Sequence, residues 1–484
     1  MTRRVAPLAV VGDALLDRDI VGDVSRVCPD APVPVVQVRD ERARPGGAAL
    51  TAWLASRLYD GPVLLVARLG TGPLAEELRG LMEAAGVTVI DLGGSRPITE
   101  KVRVRAGGQS LVRLDRDHDD ETGSLDDVDG ERLVAALAGA AAVVVSDYGR
   151  GLTHGPRVRD ALTVTAERAA VVWDPHRNGG PPVAGCRLVT PNEREAAHLV
   201  GEPVDEVEEG REQEPSVVAA TRRAALLAQR WGVHAVAVTL GRRGAVVADR
   251  HGLQVAAPGV DSIGGDTCGA GDCFAAAAGV ALGQGRLPSE AVAWAVDQAG
   301  RYVAAGGPAS VDAARCGGAV RGRNAERPWG PAGGGRSGPE VTVVATSGCF
   351  DLLHAGHVQM LTAARRLGDR LVVLLNSDAG VRRLKGSDRP LQSQADRAAV
   401  LSSLACVDEV VVFDEDIPVA ALERLRPQLF VKGGDYHAAD LPEAEALLRW
   451  GGRAVTVPYL PDRSTTRLVA EAGRLTEEAA RHAR

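Results

Sequence analysis

Short apolar runs recur along the chain and alternate with amphipathic stretches of helical period. The apolar runs cover residues 8–11, 63–66, 142–145, 170–173, 235–239, 341–345, 371–375 and 409–413. Ala-rich stretches such as residues 219–229 and 291–304 repeat their apolar positions every three to four residues. Alternating strands and helices of this kind predict an α/β protein, with parallel sheets that are covered by helices.

One break interrupts this pattern. Residues 317–339 are dominated by Gly, Pro and Arg and keep no apolar period, which predicts a flexible linker. A chain of 484 residues is long enough for two or three domains. We therefore expect one domain over residues 1–316 and a second over residues 340–484, which move independently. A shorter acidic stretch, residues 202–214, predicts a solvated loop or helix edge inside the first domain.

Composition narrows the classes of function. Hydrophobic residues make up 45% of the chain but aromatic residues only 3%, so the cores must consist of Ala, Val and Leu. The net charge is −7 and no long basic run is present, which argues against nucleic acid as a partner. No apolar run is long enough to cross a bilayer. The seven scattered cysteines form no C-x-x-C pair, which predicts reduced thiols, no zinc site and a cytoplasmic protein.

The basic residues are strongly biased towards arginine. Only three of the 56 are lysines, namely Lys101, Lys385 and Lys432. A compact ammonium and a planar guanidinium are not interchangeable. The three lysines are therefore candidate functional cations.

The first candidate site is the segment Gly-Gly-Asp-Thr-Cys-Gly-Ala-Gly-Asp at residues 264–272, which precedes a helix of small residues. The small residues Gly269, Ala270 and Gly271 let backbone N–H groups approach an anion at the helix start. Asp272 can then accept the proton of an alcohol while the N–H groups stabilise a moving phosphoryl group.

This segment resembles the signature of the ribokinase-like (PfkB) sugar kinases. The resemblance implies a ribokinase-like domain with a small β lid. It also implies that Asp13 and Asp17 hold sugar hydroxyls above the glycine pair Gly46 and Gly47. On the nucleotide side it implies roles for four residues: Asn192 and Glu195, which manage magnesium and phosphate, and Thr239 and Gly241 of the nucleotide loop. Mg²⁺ would arrive with ATP near Glu195 rather than in a fixed protein site.

Further segments narrow the resemblance to heptose 7-phosphate kinases. They are residues 25–36, 97–103 with 111–115, and 146–151. A sugar that already carries a phosphate needs cations in its pocket, and the candidates are Lys101, Arg103 and Arg113, with Arg150 behind them. Two positions depart from the family pattern, since Leu50 replaces an asparagine and Arg150 a lysine. Leucine cannot hydrogen-bond a sugar hydroxyl, so a change of substrate or rate stays open.

The second candidate site is the segment Thr-Ser-Gly-Cys-Phe-Asp-Leu-Leu-His-Ala-Gly-His-Val at residues 346–358, directly after an apolar run. His354 and His357 stand three positions apart, which places both on one helix face. Two imidazoles at a helix N-terminus can donate hydrogen bonds to a phosphate during attack at an α-phosphorus. Gly356 between them lets a nucleotide lie against the backbone.

This segment resembles the signature of the cytidylyltransferase-like nucleotidyltransferases, with a Rossmann-like fold. Lys385 and Arg397 are the candidates for contact with the triphosphate and the leaving pyrophosphate. The other nucleotide-binding residues that the resemblance implies are Gly348, Phe350, Asp351, Asn376, Asp378, Lys432, Gly433, Asp435, Ser464, Thr465 and Thr466.

Both resemblances on one chain match the family of bifunctional enzymes of ADP-heptose synthesis. That family implies phosphorylation of heptose 7-phosphate at C1, the action of a separate 7-phosphatase, and adenylyl transfer from ATP, with Mg²⁺ in both steps. It also implies a homodimer formed through the kinase domain. Two alternatives remain: the same architecture acting on another phosphosugar, or a first domain reduced to a sugar-phosphate sensor or dimerisation module beside an active transferase.

Overall fold

The computed structural model describes residues 5–28, 30–31, 33–94, 97–106, 109–116, 128–202, 216–250, 254–257, 266–313, 341–434 and 441–457. The chain groups into two compact units. Residues 1–206, 223–239 and 260–318 form the first, and residues 207–222, 240–259 and 319–484 form the second. The predicted linker and nearly all of the acidic stretch lie outside the described residues.

The first unit contains a seven-stranded parallel sheet. Its spatial order is β11 (Ala235–Thr239), β10 (Leu188–Val189), β9 (Ala170–Asp174), β8 (Ala142–Ser146), β1 (Leu8–Gly12), β4 (Val63–Ala67) and β5 (Val87–Asp91). The central strands are Val-rich and almost fully buried, as expected of a parallel sheet covered on both faces.

Nine helices lie between residues 48 and 313 in the described part of the chain. They are α1 (Ala48–Leu58), α2 (Pro73–Ala84), α3 (Gly130–Leu137), α4 (Pro156–Ala166), α5 (Glu193–Val200), α6 (Ser216–Trp231), α7 (Ala270–Gly283), α8 (Pro288–Ala304) and α9 (Pro308–Ala313). Helix α7 is the most buried, because its run of small residues lets it approach the sheet closely. A Cβ at Gly279 would lie only 2.2 Å from Val144 Cγ2 of β8.

A separate four-stranded sheet agrees with the small β lid implied by the resemblance. Its order is β3 (Pro34–Gly47), β2 (Ala14–Val27), β6 (Thr99–Ala106) and β7 (Gln109–Arg116). Strands β2 and β3 have 14 residues each and are rich in charges, so apolar periodicity did not predict them. Ion pairs such as Arg44 with Asp19 (2.5 Å) join neighbouring strands instead.

The second unit contains a five-stranded parallel sheet of the order 3-2-1-4-5. The strands are β16 (Glu409–Phe413), β15 (Arg370–Asn376), β14 (Val343–Gly348), β17 (Leu429–Gly433) and β18 (Arg453–Val457). The helices are α10 (Ala355–Arg366), α11 (Asp378–Lys385), α12 (Gln394–Ser402), α13 (Val419–Leu425) and α14 (Ala444–Leu448). Residues 240–259, which group with this unit, carry the antiparallel pair β12 (Ala245–Asp249) and β13 (Gln254–Ala257).

All eight predicted apolar runs are strands in the structure, which confirms the α/β prediction. The run predicted over residues 341–345 begins two residues later and extends to Gly348, into the second motif. Within the part of the chain that the structure describes, no helix is long and apolar enough to span a membrane.

Candidate active sites

The first pocket opens where the chain reverses its direction across the seven-stranded sheet. From β1 the chain proceeds to β4 and β5 on one side and then returns to β8 on the other. In open α/β sheets, ligands bind at such switch points, beyond the carboxyl ends of the strands. Asp13 follows β1 there, and its Oδ2 accepts the backbone N–H groups of Tyr148 and Arg150, both at 3.0 Å. Burial raises the pKa of the Asp13 carboxyl above its ordinary value.

Asp272 reaches the same pocket from the first turn of α7 and is only 5% exposed. Its Oδ1 accepts the Thr51 hydroxyl at 2.9 Å, and the Tyr148 hydroxyl donates to both carboxylate oxygens at 2.9 and 3.0 Å. Burial raises the pKa of Asp272 to about 6, although the two hydroxyl donors act in the opposite direction. The group is therefore mostly ionised at neutral pH and can take up a proton there.

The backbone before Asp272 has the form expected of an anion loop. Gly269 has φ +80°, a left-handed conformation that favours glycine, and Ala270 begins α7. A Cβ at Gly269 would lie 2.7 Å from the Tyr302 hydroxyl and 2.8 Å from Leu50 Cδ2. Among the residues that the structure describes, a Cβ at Gly271 would meet nothing within 4 Å, so they leave the space above this turn open. Gly264 and Gly265 lie outside the described residues.

The glycine pair between β3 and α1 lies against the two predicted sugar-binding aspartates. A Cβ at Gly46 would come within 2.8 Å of Asp17 Oδ2. Gly47 has φ +57°, and a Cβ there would lie 2.5 Å from the Asp13 carbonyl oxygen. The structure therefore brings Asp13, Asp17, Gly46 and Gly47 together.

The predicted phosphate-binding cations differ in whether a carboxylate of the protein already pairs with them. Arg103 donates to Asp17 Oδ1 at 2.9 Å and to Cys268 Sγ at 3.6 Å. Arg113, which is more than half exposed, forms a bidentate pair with Asp115 at 2.7 and 2.8 Å. Lys101 Nζ lies 5.2 Å from the centre of the Tyr148 ring, and burial lowers its pKa. Among the described residues, no carboxylate is within ion-pairing distance of Lys101.

The predicted nucleotide-side residues lie at the ends of the neighbouring strands. Asn192 and Glu195 form a reciprocal capping box at the start of α5, with distances of 2.8 and 2.9 Å. Burial raises the pKa of Glu195. Asn192 also pairs with Thr239, the last residue of β11. Gly241, with φ +58°, begins the short turn Gly241–Arg243 that follows.

Three residues of the first pocket were missed as site residues. They are Thr51, Tyr148 and Asp174. Asp174 is the last residue of β9, where burial raises its pKa well above the ordinary value and the charges of Glu195 and Asp272 add to the effect. A polar residue that ends an apolar run was a usable signal for Asp174. No sequence signal connects Thr51 to Asp272, since 221 positions separate them.

The second pocket lies at the switch point between β14 and β17 and has a volume of about 560 Å³. Its walls include residues from the ends of three parallel strands and from the starts of the segments that follow. Those lining residues are Thr346, Ser347, Gly348, Cys349, Phe350, Gly356, His357, Met360, Asn376, Val381, Leu384, Lys385, Lys432 and Gly433.

His354 and His357 stack at the start of α10, with ring centroids 3.8 Å apart. The ring of Phe350, which has φ +44°, meets His357 edge-on at 5.2 Å. Burial, together with the neighbouring His354, lowers the pKa of His357 to about 4. His357 is therefore a neutral imidazole at pH 7 and can donate an uncharged hydrogen bond to a phosphate oxygen.

Two of the three lysines reach this second pocket. Lys385 Nζ donates to Cys349 Sγ at 3.0 Å, and Lys432 Nζ lies 3.5 Å from Glu443 Oε1. Asn376, at the end of β15, also lines the pocket. The remaining loop residues, Asp435 with Ser464, Thr465 and Thr466, lie outside the described residues.

Arg397, a predicted triphosphate contact, lies beside the second pocket, but its guanidinium faces groups of the protein. Its guanidinium is buried and donates to the carbonyl oxygens of Cys349 (2.6 Å), Asn376 (3.0 Å) and Gln392 (3.1 Å) and to Asp378 Oδ1 (2.7 Å). These bonds use four of its five N–H donors and the side chain is almost fully buried, so little of the guanidinium is available to a triphosphate. Arg397 instead connects the loops that follow β14 and β15.

Asp351 also acts within the protein rather than at the pocket surface. It is 2% exposed and accepts Arg389 Nη1 at 2.7 Å and the backbone N–H groups of Leu391 and Gln392 at 2.6 and 3.2 Å. Burial alone would raise its pKa, but these donors lower it below the ordinary value. The hydrogen bonds to Asp351 therefore hold residues 389–392 beside the second motif.

Comparisons with known proteins identify the family of each part of the chain. Residues 6–313 match the model of the pfkB family carbohydrate kinases, and residues 345–469 match the cytidylyltransferase-like model. The chain is thus a pfkB family carbohydrate kinase joined to a cytidylyltransferase-like domain, and over its whole length it belongs to the family of the bifunctional proteins named HldE. It is 50% identical over 468 residues to "Bifunctional protein HldE" of Streptomyces coelicolor, which covers 96% of each chain.

Two further proteins are similar to the chain. The protein of the same name in Azorhizobium caulinodans is 37% identical over 489 residues, covering 97% of this chain and 98% of that one. Among solved structures, ribokinase from Giardia lamblia is similar at 19% identity with a TM-score of 0.48, over 64% of this chain and 99% of that one.

Proposed function

We propose that the chain catalyses two steps of ADP-heptose synthesis. The first domain, residues 1–316, phosphorylates heptose 7-phosphate at C1. A separate phosphatase then removes the 7-phosphate. The second domain, residues 340–484, transfers AMP from ATP onto heptose 1-phosphate and releases pyrophosphate, and residues 317–339 link the two. The observation that carries the proposal is the presence of two separate pockets, each with its own acid–base or phosphate-binding groups, on a chain that matches a relative over 96% of its length.

In the kinase step, Asp272 accepts the proton of the C1 hydroxyl as that oxygen attacks the γ-phosphorus of ATP. The N–H groups around Gly269 to Gly271 stabilise the charge on the moving phosphoryl group. Asp13 and Asp17 hold sugar hydroxyls above the glycine pair. Lys101 and Arg103 bind the phosphate that the sugar already carries. Arg113 and Arg150 add positive charge at a greater distance from it. Thr239 and Gly241 bind the nucleotide.

Magnesium belongs to this step as a companion of ATP. No group of three or more His, Cys, Asp or Glu side chains in the described segments has the arrangement of a metal site. The single Glu195 carboxylate, an oxygen donor of the kind Mg²⁺ prefers, fits an ion that ATP already carries. When bound, the ion neutralises charge on the β- and γ-phosphates. Glu195 would hold it at the start of α5.

Replacing Glu195 with Gln is expected to raise the Mg²⁺ concentration for half-maximal kinase rate by about tenfold, the low end of the range for residues that hold a metal through its own ligands. Gln retains the hydrogen bond of the capping box but removes the negative charge. The measurement is kinase rate during a Mg²⁺ titration at constant ATP. The transferase reaction of the same preparation is the control. An unchanged requirement for Mg²⁺ would contradict the role of Glu195.

In the transferase step, His354 and His357 donate hydrogen bonds to the α-phosphate while the sugar phosphate oxygen attacks it. Lys385 and Lys432 bind the β- and γ-phosphates, which leave as pyrophosphate. Gly348, Phe350, Asn376, Asp378 and Gly433 shape the nucleotide pocket, and we assign its base as adenine on family grounds. Arg397 and Asp351 position the loops around this pocket through the hydrogen bonds described above.

We further propose a cytoplasmic homodimer that forms through the kinase domain. The support is the four-stranded sheet, on which seven large apolar side chains are exposed: Val21, Val24, Val27, Val38, Leu111, Val112 and Leu114. A dimer would remove this apolar surface from water.

Substrate choice is tested by offering the purified chain a panel of phosphosugars with ATP and measuring ADP release. We expect kcat/KM for heptose 7-phosphate to exceed that for hexose 6-phosphates and ketoheptose 7-phosphate by at least about tenfold, the scale of a single pocket contact. A different preferred phosphosugar would favour the alternative substrate, with Leu50, which packs beside Gly269, as the first residue to substitute. No kinase activity on any sugar would favour the sensor alternative.

A further inference from the structure

The hydroxyl of Tyr148 contacts the proposed catalytic base, while its ring contacts the proposed phosphate anchor. We propose that Tyr148 is a positioning residue of the kinase reaction: its hydroxyl orients the Asp272 carboxylate and keeps it ionised, and its ring supports Lys101. This inference rests on the proposed function, in which Asp272 accepts the proton.

The backbone of Tyr148 is anchored to Asp13 rather than to Asp272. Its N–H donates to Asp13 Oδ2 at 3.0 Å, directly beyond the end of β8. Its hydroxyl then bridges both oxygens of Asp272 at 2.9 and 3.0 Å. One residue therefore bonds two of the pocket's aspartates, one through its main chain and one through its side chain. A bridging donor restricts rotation of the carboxylate about its last torsion.

The ring of Tyr148 carries the second contact. Lys101 Nζ lies 5.2 Å from the ring centre, within the range of a cation–π interaction. The His176 ring stacks on the Tyr148 ring with centroids 6.2 Å apart, which limits movement of the tyrosine. The position of Lys101 is thus coupled to that of the base through a single rigid side chain.

Several charged and titratable groups face Asp272 from the surrounding elements. They are Asp17 on β2, Lys101 on β6, Tyr148 after β8, Asp174 on β9, Cys268 in the anion loop, Cys273 on α7 and Tyr302 on α8. Burial raises the pKa of Asp272 most, and Asp17 adds to this, whereas Thr51, Tyr148 and Lys101 lower it. Removing the Tyr148 hydroxyl therefore raises the pKa of the base.

Tyr148 itself keeps its proton throughout the reaction. Burial and the nearby Asp272 charge hold the pKa of its hydroxyl well above the ordinary value. The C1 hydroxyl loses its proton to Asp272, a bond forms from that oxygen to the γ-phosphorus, and the bond to the β-phosphate oxygen breaks to release ADP. Tyr148 donates a hydrogen bond during these changes and exchanges no proton.

The test is the pH profile of kinase kcat/KM for Tyr148→Phe, which removes the hydroxyl and keeps the ring. We expect the acidic limb to move up by about one pH unit, the scale of one lost hydrogen bond to a carboxylate. Relative to the unchanged protein, activity would then fall about fivefold at pH 6 and much less at pH 8.5. Tyr302→Phe is the matched control, because the Tyr302 hydroxyl donates to the Cys268 carbonyl oxygen at 3.0 Å and not to Asp272. Its acidic limb should stay in place.

Tyr148→Leu adds a second readout, since it also removes the ring beneath Lys101. We expect its KM for the sugar phosphate to exceed that of Tyr148→Phe. Transferase activity and thermal melting of each variant show whether the protein is folded. If the Asp272→Asn variant is inactive but the acidic limb of the Tyr148→Phe profile does not move, the proposed role of Tyr148 is overturned. The proposed kinase function then still stands. A fully active Asp272→Asn variant would overturn the proposed kinase function as well.

Discussion

Replacing Asp272 with Asn is expected to lower the kinase kcat by about 10³-fold, at the middle of the range for loss of a general base. Asn has nearly the same shape, so it can still accept the Thr51 hydroxyl at its oxygen, but it cannot take the proton of the sugar hydroxyl. The measurement is ADP release from ATP with saturating heptose 7-phosphate. The same protein should convert supplied heptose 1-phosphate at the rate of the unchanged chain.

That second activity is the control for correct folding, because it uses the other pocket. Sugar-phosphate binding, followed by calorimetry, should also persist in the variant. Kinase turnover within a few-fold of the unchanged chain would exclude Asp272 as the base. A first domain that merely senses a sugar phosphate would bind it equally well with either residue and would show no turnover with Asp272 present.

Replacing His357 with Asn is expected to lower transferase kcat by about 10²- to 10³-fold, the cost of removing one donor to a developing phosphate charge. Its imidazole stacks on His354 at 3.8 Å and lines the second pocket, whereas the kinase groups lie in a separate unit. Kinase activity should therefore be unchanged. Pyrophosphate release from ATP and heptose 1-phosphate measures the effect.

The pH dependence of the same reaction tests the charge state of this histidine. Its pKa is lowered to about 4, so the imidazole of the free protein is neutral above pH 5 and gains a proton only in more acidic solution. The transferase kcat/KM should show no break near pH 6.5 from His357.

His198→Asn, on the exposed side of α5, is the matched control for His357→Asn and should alter neither activity. Equal losses in both histidine variants would contradict a specific role for His357.

The parallel sheets were predictable because their strands are continuous apolar runs. Strands such as β1 and β8 are buried on both faces. The sequence of each is therefore a continuous run of Val, Leu and Ala between polar segments. The second motif was predictable for a related reason, since its histidines, its glycines and the strand before it are contiguous in the chain. Short-range patterns carry this information without any knowledge of the topology.

The contacts that the sequence did not predict depend on the topology of the fold and on the hydrogen bonds that each donor already makes. The Tyr148 hydroxyl meets Asp272 across 124 positions, and only the place of α7 beside β8 and β9 brings them together. Arg397 lies in the region that the motif indicated, but whether a guanidinium faces a ligand or backbone carbonyls is decided by neighbouring loops. The charged strands β2 and β3 were missed because ion pairs between strands replace the apolar alternation there.

The central claim is that one chain carries out both the phosphorylation and the nucleotidyl transfer on the same sugar. ³¹P NMR of the purified protein with ATP, Mg²⁺ and heptose 7-phosphate tests it directly, before and after addition of a phosphatase specific for the 7-position. We expect a new anomeric phosphate signal first and, after the phosphatase, the paired signals of a nucleoside diphosphate sugar together with pyrophosphate. The absence of an anomeric phosphate signal from a protein that still converts heptose 1-phosphate would contradict the claim.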